Sequence, residues 1–226
     1  MKLGILFSGG KDSAYALYKA MEKDDVVCLI SMISKNDESY MFHIPNIGIT
    51  DIQAEAIGLP LIQEETKGVK EEELKDLKNA IKKAKSKYKI EGVVTGAIAS
   101  EYQAKRVRKI CAELELVSVN PLWQKDQKTL LEEIVENKFD VMITGIFAYP
   151  LDETWLGRRL DAKTIEDLNE LKRKFGMNPA GEGGEIETTV LDAPFFKKKV
   201  KILEHEINAG DNEGIFVIKK AKLVNK

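Results

Sequence analysis

The sequence contains no apolar run longer than a β-strand, and a membrane-spanning helix needs about 20 such residues. No signal peptide is visible either, so a cytoplasmic protein is expected. Cysteine is scarce. Cys28 and Cys111 stand far apart in 226 residues, without metal-ligand spacing, which argues against a disulfide scaffold or a cysteine-rich metal site. One falls in an expected strand and the other on an expected helix, so both read as small buried hydrophobes. Charge of one sign is lacking too: 35 Lys and Arg stand against 37 Asp and Glu. General nucleic-acid binders and membrane-surface binders carry a basic excess, so neither class is favoured. There are no internal repeats and no low-complexity segments. His205 has no partner at ligand spacing. The phosphate-loop pattern of kinases and GTPases is missing, because Ile5 and Asp12 occupy places that require Gly and Ser or Thr. No G-x-G-x-x-G is present.

What is abundant is Lys and Glu. Charged residues make up 32% of the chain, against about 25% in ordinary soluble domains, a bias that hints at a thermophilic source. The length suits one large domain or two small ones with a real core. The most informative stretch is Ser8-Gly9-Gly10-Lys11-Asp12-Ser13, directly after the apolar run Leu3 to Phe7. Beyond it Ala14, Leu17, Tyr18 and Met21 recur at helical spacing. A strand, a glycine loop and a helix start make an anion cradle: backbone N–H groups point outward and the helix dipole favours negative charge. Gly9 and Gly10 let the backbone approach a phosphate, Lys11 adds a positive charge, and Ser8 and Ser13 add hydroxyl donors.

The rest of the chain alternates strands and helices. Strands are expected at Val26 to Ile33, Leu59 to Ile62, Gly92 to Ile98 and Leu116 to Val119. Thr50 to Gln53 reads as a capping box opening a helix that ends near Gly58. Another helix is expected from Glu71 to Tyr88, with a solvated charged face, and Ser100 and Gln103 read as the N-cap and capping-box partner of the next one. This alternation predicts an α/β fold with a doubly wound parallel sheet. Ligands sit off the carboxyl edge of such sheets. That places Ser31-Met32-Ile33-Ser34, at the end of the second strand, as candidates for lining an adenine, while the turn Thr95-Gly96-Ala97-Ile98 and the helix after it could close over the nucleotide from the other side or be only a capped helix. His43, in the loop Tyr40 to Asn46, could touch the nucleotide or simply pack. Past a soft boundary near residue 124, a smaller α+β part is expected: helices at Thr129 to Asn137 and Ile165 to Phe175, a strand at Val141 to Ile146, and a hairpin at Lys199 to Asn208 and Gly214 to Val224. Between them lies Gly181-Glu182-Gly183-Gly184-Glu185-Ile186-Glu187-Thr188. Its glycines allow a backbone folded tightly against a ligand. Its carboxylates could hold Mg²⁺, a cationic substrate or ammonia.

The loop at residues 8–13 resembles the pyrophosphate loop of the ATP-pyrophosphatase superfamily, whose members cleave ATP to AMP and pyrophosphate. Four further motifs narrow the resemblance: Thr95-Gly96-Ala97-Ile98, Ser100-Glu101-Tyr102-Gln103 with Arg106, Trp155-Leu156-Gly157-Arg158, and Glu182 to Thr188. Together they look like the diphthine–ammonia ligase family, in the short form typical of archaea. The resemblance implies residues 1–124 as an ATP-binding domain and 125–226 as a substrate-binding domain. It implies ATP-dependent amidation of diphthine, a modified histidine of elongation factor 2, with ATP and Mg²⁺ as cofactors and ammonia as co-substrate. Ser8, Gly9, Gly10, Lys11, Asp12, Ser13, Met32, His43, Gly96, Ile98, Gln103 and Arg106 would bind the nucleotide, and Asp12 would orient Mg²⁺ or order the loop. Lys11, Asp12, Glu182, Glu185 and Glu187 would carry the chemistry. Trp155, Arg158, Gly183, Gly184 and Thr188 would contact the substrate, the Trp155 ring or the glutamates attracting its trimethylammonium group and Arg158 a phosphate or carboxylate. A homodimer is left open. Two other readings stay open as well: a pyrophosphatase-type enzyme that adenylates a tRNA base or small metabolite, and a non-catalytic module that binds ATP or AMP.

Overall fold

Short runs buried on both faces, each followed by a turn and an amphipathic helix, can satisfy their backbone groups only by pairing side by side. The computed structural model describes residues 1–34, 46–69 and 72–226, so the reading of His43 lies outside the described residues. In chain order the first part comprises β1 (Lys2–Leu6), α1 (Lys11–Met21), β2 (Asp25–Ser34), α2 (Thr50–Ile57), β3 (Leu61–Thr66), α3 (Glu73–Tyr88), β4 (Gly92–Val94), α4 (Glu101–Glu113) and β5 (Val117–Val119). The strands lie in the order β3-β2-β1-β4-β5 and pair in parallel throughout. The expected doubly wound sheet is therefore present. The order reverses between β1 and β4, and a crevice opens at the carboxyl ends of those two strands.

The second part comprises α5 (Gln127–Glu136), β6 (Asp140–Ile146), α6 (Ala162–Phe175), β7 (Ile186–Asp192), β8 (Lys199–Gly210) and β9 (Glu213–Val224). Its sheet, β7-β6-β9-β8, is antiparallel. The two sheets share one core. A continuous apolar cluster runs from Leu3, Ile5 and Leu17 through Leu130 and Ile143 to Val190 and Phe216. The opposite face of the parallel sheet is covered by α3 and α4, where Cys28 and Ile30 meet Leu77, Ile81, Val107 and Cys111. Both thiols are free, and burial pushes them up, Cys28 to about 12 and Cys111 to about 11.

Two local expectations need correction. The strand read over 92–98 stops at Val94. There the backbone turns: the Thr95 amide reaches across to the Val119 carbonyl at 3.0 Å, and the Thr95 hydroxyl donates to Asn120 Oδ1 at 2.6 Å. The capping box at Thr50 is absent as well. No side chain caps α2. The Thr50 hydroxyl donates backwards to the Ile47 carbonyl, and Gln53 is fully buried with its amide turned towards the glycine loop at residues 8–13. By contrast, Ser100 does cap α4, accepting from the Gln103 amide.

Candidate functional site

A cavity of about 440 Å³ occupies the crevice between β1 and β4. One wall is the loop at residues 8–13. Gly9 sits at φ +80°, a conformation that costs L-residues about 1 kcal/mol or more and glycine almost nothing. A Cβ there would lie 2.3 Å from Gln53 Oε1. The loop is laced by its own hydroxyls: Ser13 Oγ accepts from the Ser8 amide at 3.2 Å, donates to the Gly10 carbonyl at 3.1 Å and lies 3.1 Å from Ser8 Oγ. The two serines hold the loop's shape from within. Lys11 is almost wholly buried, and its Nζ donates to the Ala180 carbonyl at 2.5 Å and to Asp12 Oδ2 at 2.9 Å. An ammonium has three donors, so one remains for a ligand. Asp12 Oδ1 is buried and has no hydrogen-bond partner among the described residues.

The opposite wall comes from the segment that runs into β7. Strand and loop are stitched together, with the Val190 amide donating to the Gly9 carbonyl at 2.9 Å and the Lys11 amide to Thr188 Oγ1 at 3.1 Å. The third wall is the turn after β4. Gly96 packs so closely that a Cβ would stand 2.8 Å from the Asp12 carbonyl carbon and from the Ser13 amide nitrogen. Met32, Ile30 and Val107 form an apolar floor, and Gln103 lines the side.

The three glutamates separate into different roles. Glu182 Oε1 accepts from the Ala99 and Ser100 amides, both at 2.8 Å, and so closes the N-terminus of α4 with a negative charge where the dipole favours one. The Glu185 carboxylate accepts from the Asn178 amide and side chain at 3.1 and 2.8 Å and from the Gly183 amide at 2.8 Å. It folds its own loop. The Glu187 carboxylate has no hydrogen bond to the described residues and lines the cavity. Burial pushes its carboxyl up to about 7, with Lys11 opposing and Asp12 adding to the rise.

The cavity thus gathers Ser8, Gly10, Lys11, Asp12, Ser13, Met32, Gly96, Gln103, Glu182, Gly183, Gly184, Glu187 and Thr188 from the expected set. Gly9 supports the loop from behind. Ile98 is packed in the core, and Glu185 stands behind the wall. Arg106 lies over the Tyr102 ring at 3.4 Å and is not a lining residue. Trp155 and Arg158 are not brought to the cavity either. The Arg158 guanidinium covers the Trp155 ring at 4.1 Å and pairs with Asp167 at 2.5 Å. Sequence reasoning missed Ile30 and Val107 as lining groups, and above all Gln53 and Ala180. A backbone carbonyl leaves no trace in sequence, and Gln53 was masked by its fit to a capping pattern. Among the described residues no group of three or more His, Cys, Asp or Glu is arranged to hold a metal ion, and no helix is long and apolar enough to cross a membrane.

Residues 1–118 match the family model of the diphthamide synthase N-terminal domain, and residues 126–224 that of the C-terminal domain. The diphthine–ammonia ligase of Homo sapiens is 34% identical over 227 residues, covering 92% of this chain and 85% of the human protein. That of Rattus norvegicus is 34% identical over 222 residues, covering 89% and 83%. The Schizosaccharomyces pombe enzyme, also 34% identical, is longer, and 37% of it is covered by 92% of this chain. With matches in both halves, and with the glycine loop, the Gly96 turn and the glutamate segment meeting around one cavity, the chain belongs to the diphthine–ammonia ligase family.

Proposed function

We propose that this protein amidates the carboxylate of diphthine on elongation factor 2, using ATP and ammonia and releasing AMP and pyrophosphate. The observation that carries the reading is the placement of Glu187 across from Lys11 and Asp12, at the sheet edge where strand order reverses. A carboxylate is a poor acyl donor until its oxygen is joined to a phosphoryl group as a mixed anhydride. The diphthine carboxylate attacks the α-phosphorus of ATP, the bond to the bridging oxygen breaks, and pyrophosphate leaves into the loop at residues 8–13. The free N–H of Lys11 Nζ meets the charge that develops on the departing oxygens, so it acts most strongly in the transition state. The apolar floor of Met32, Ile30 and Val107 suits an adenine ring.

Ammonia then attacks the acyl carbon, the acyl C–O bond of the mixed anhydride breaks, and AMP departs with its electron pair. The nitrogen must shed a proton in this step, and Glu187, titrating near neutrality, is matched to accept it. The same carboxylate would attract the trimethylammonium group, and the glycines at 183 and 184 leave room for the substrate. Mg²⁺ fits the unpartnered Oδ1 of Asp12, a hard oxygen ligand beside the loop, where it would screen phosphate charge. The two halves divide the task near residue 124, nucleotide on one side and acceptor on the other.

The test incubates the protein with Mg-ATP, ammonium and elongation factor 2 that carries diphthine. Mass spectrometry follows conversion of carboxylate to amide on the target peptide, and AMP is assayed in parallel. Amide and AMP together support the ligase. AMP without a change in the peptide means another acceptor, and neither product with ATP still bound means a non-catalytic module.

A further inference from the structure

Gln53 lies on α2, outside every motif that marks the site, yet its buried amide reaches the centre of it. Its Nε2 donates to the Gly9 carbonyl at 3.0 Å and to the Val190 carbonyl at 2.7 Å. Gly9 belongs to the phosphate loop. Val190 belongs to β7, the strand that carries Glu187 and Thr188. One planar group with two donors therefore fixes the gap between the loop and the strand that bears the cavity carboxylate. The room for it exists because residue 9 is glycine: a Cβ there would collide with Gln53 Oε1 at 2.3 Å.

We propose that Gln53 is a positioning residue for pyrophosphate transfer, holding the Gly9 peptide in the orientation that presents the loop to the β- and γ-phosphates. The inference rests on the ATP reading above. The Gly9 carbonyl receives two donors, from the Val190 amide and from Gln53, which leaves that peptide no freedom to turn. An exposed loop would tolerate a weaker tether. A loop that must meet charge as it develops gains from being fixed beforehand, because none of its dipoles then has to reorient during the reaction. Gln53 acts through the loop and touches no reacting atom.

The test compares wild type with Gln53→Met, which keeps the length and removes the donors, and Gln53→Glu, which keeps the shape and replaces donors by acceptors. Equilibrium binding of pyrophosphate and of AMP is measured by calorimetry, beside steady-state AMP formation, with circular dichroism to establish folding. We expect either folded variant to bind pyrophosphate about tenfold more weakly, as loss of a buried hydrogen bond implies, with AMP affinity unchanged. The drop in rate should appear in kcat as well as in KM for ATP. Equal weakening for AMP and pyrophosphate would overturn the inference, because Gln53 would then merely support the fold. Wild-type affinity for pyrophosphate in either variant would overturn it too. If wild type itself binds AMP but no pyrophosphate, the ATP-cleaving reading falls and this inference falls with it.

Discussion

Glu187 differs from its two neighbouring glutamates in what surrounds it. Glu182 and Glu185 are held by amide donors, whereas the Glu187 carboxylate faces the cavity without one and is pushed from 4.5 up to about 7. As a proton acceptor it works only when ionised, so amide formation should rise with pH through about 7. In Glu187→Gln the rate should be low and that inflection absent, which a pH series of amide yield at saturating ammonium would check. Stability should respond in the opposite sense. Between 4.5 and about 7 the folded state holds a proton on Glu187 that the unfolded chain releases, so wild type loses stability as pH rises through that window. Denaturant titrations across it should show a weaker slope with pH in Glu187→Gln. The sequence singled out this cluster of carboxylates and marked it as chemically important. It could not rank them, because the ranking depends on Asn178, Ala99 and Ser100, which reach two of the glutamates and miss the third.

At the scale of the element, the site is two strand–turn–helix units pressed against each other. Gly96 is the point of contact, its Cα facing the backbone of Asp12 and Ser13. Backbone cannot step aside as a flexible side chain can, so Gly96→Ala should push the two turns apart. We expect a loss of about 1–3 kcal/mol of stability, as in other overpacked sites, and weaker ATP binding, measurable by thermal unfolding with and without nucleotide. The units themselves were legible from short apolar runs and glycine turns, and the five-stranded parallel sheet followed from their alternation. Their ends were less so. The run at 92–98 looks like uninterrupted strand, but Thr95 turns away to bond Val119 and Asn120, contacts that belong to the next strand and not to local propensity. Thr50 and Gln53 satisfy a capping pattern by spacing alone, and tertiary contacts redirect both.

For the whole molecule, the boundary expected near residue 124 does not divide the core, which runs through both parts. Helix α1 lies between the halves. Tyr15 and Tyr18 pack against Phe139, and Tyr18 stacks on Phe195, while the Tyr15 hydroxyl donates to Glu133 at 2.7 Å. Residues 1–124 produced alone would expose that face and lose Val190 and Thr188 from behind the phosphate loop. We expect such a fragment to bind no ATP and to unfold without a cooperative transition, while the full chain melts in one step. Calorimetry of both would decide it.

The two buried thiols offer a different use. With Cys28 on β2 and Cys111 on the buried face of α4, both protonated at any ordinary pH and enclosed between the sheet and its helical layer, an alkylating reagent can reach them only when that layer lifts from the sheet. The rate of labelling therefore keeps time for the breathing of the nucleotide-binding sheet. Its slowing on addition of ATP would convert ligand binding at one edge into a clock reading on the opposite face.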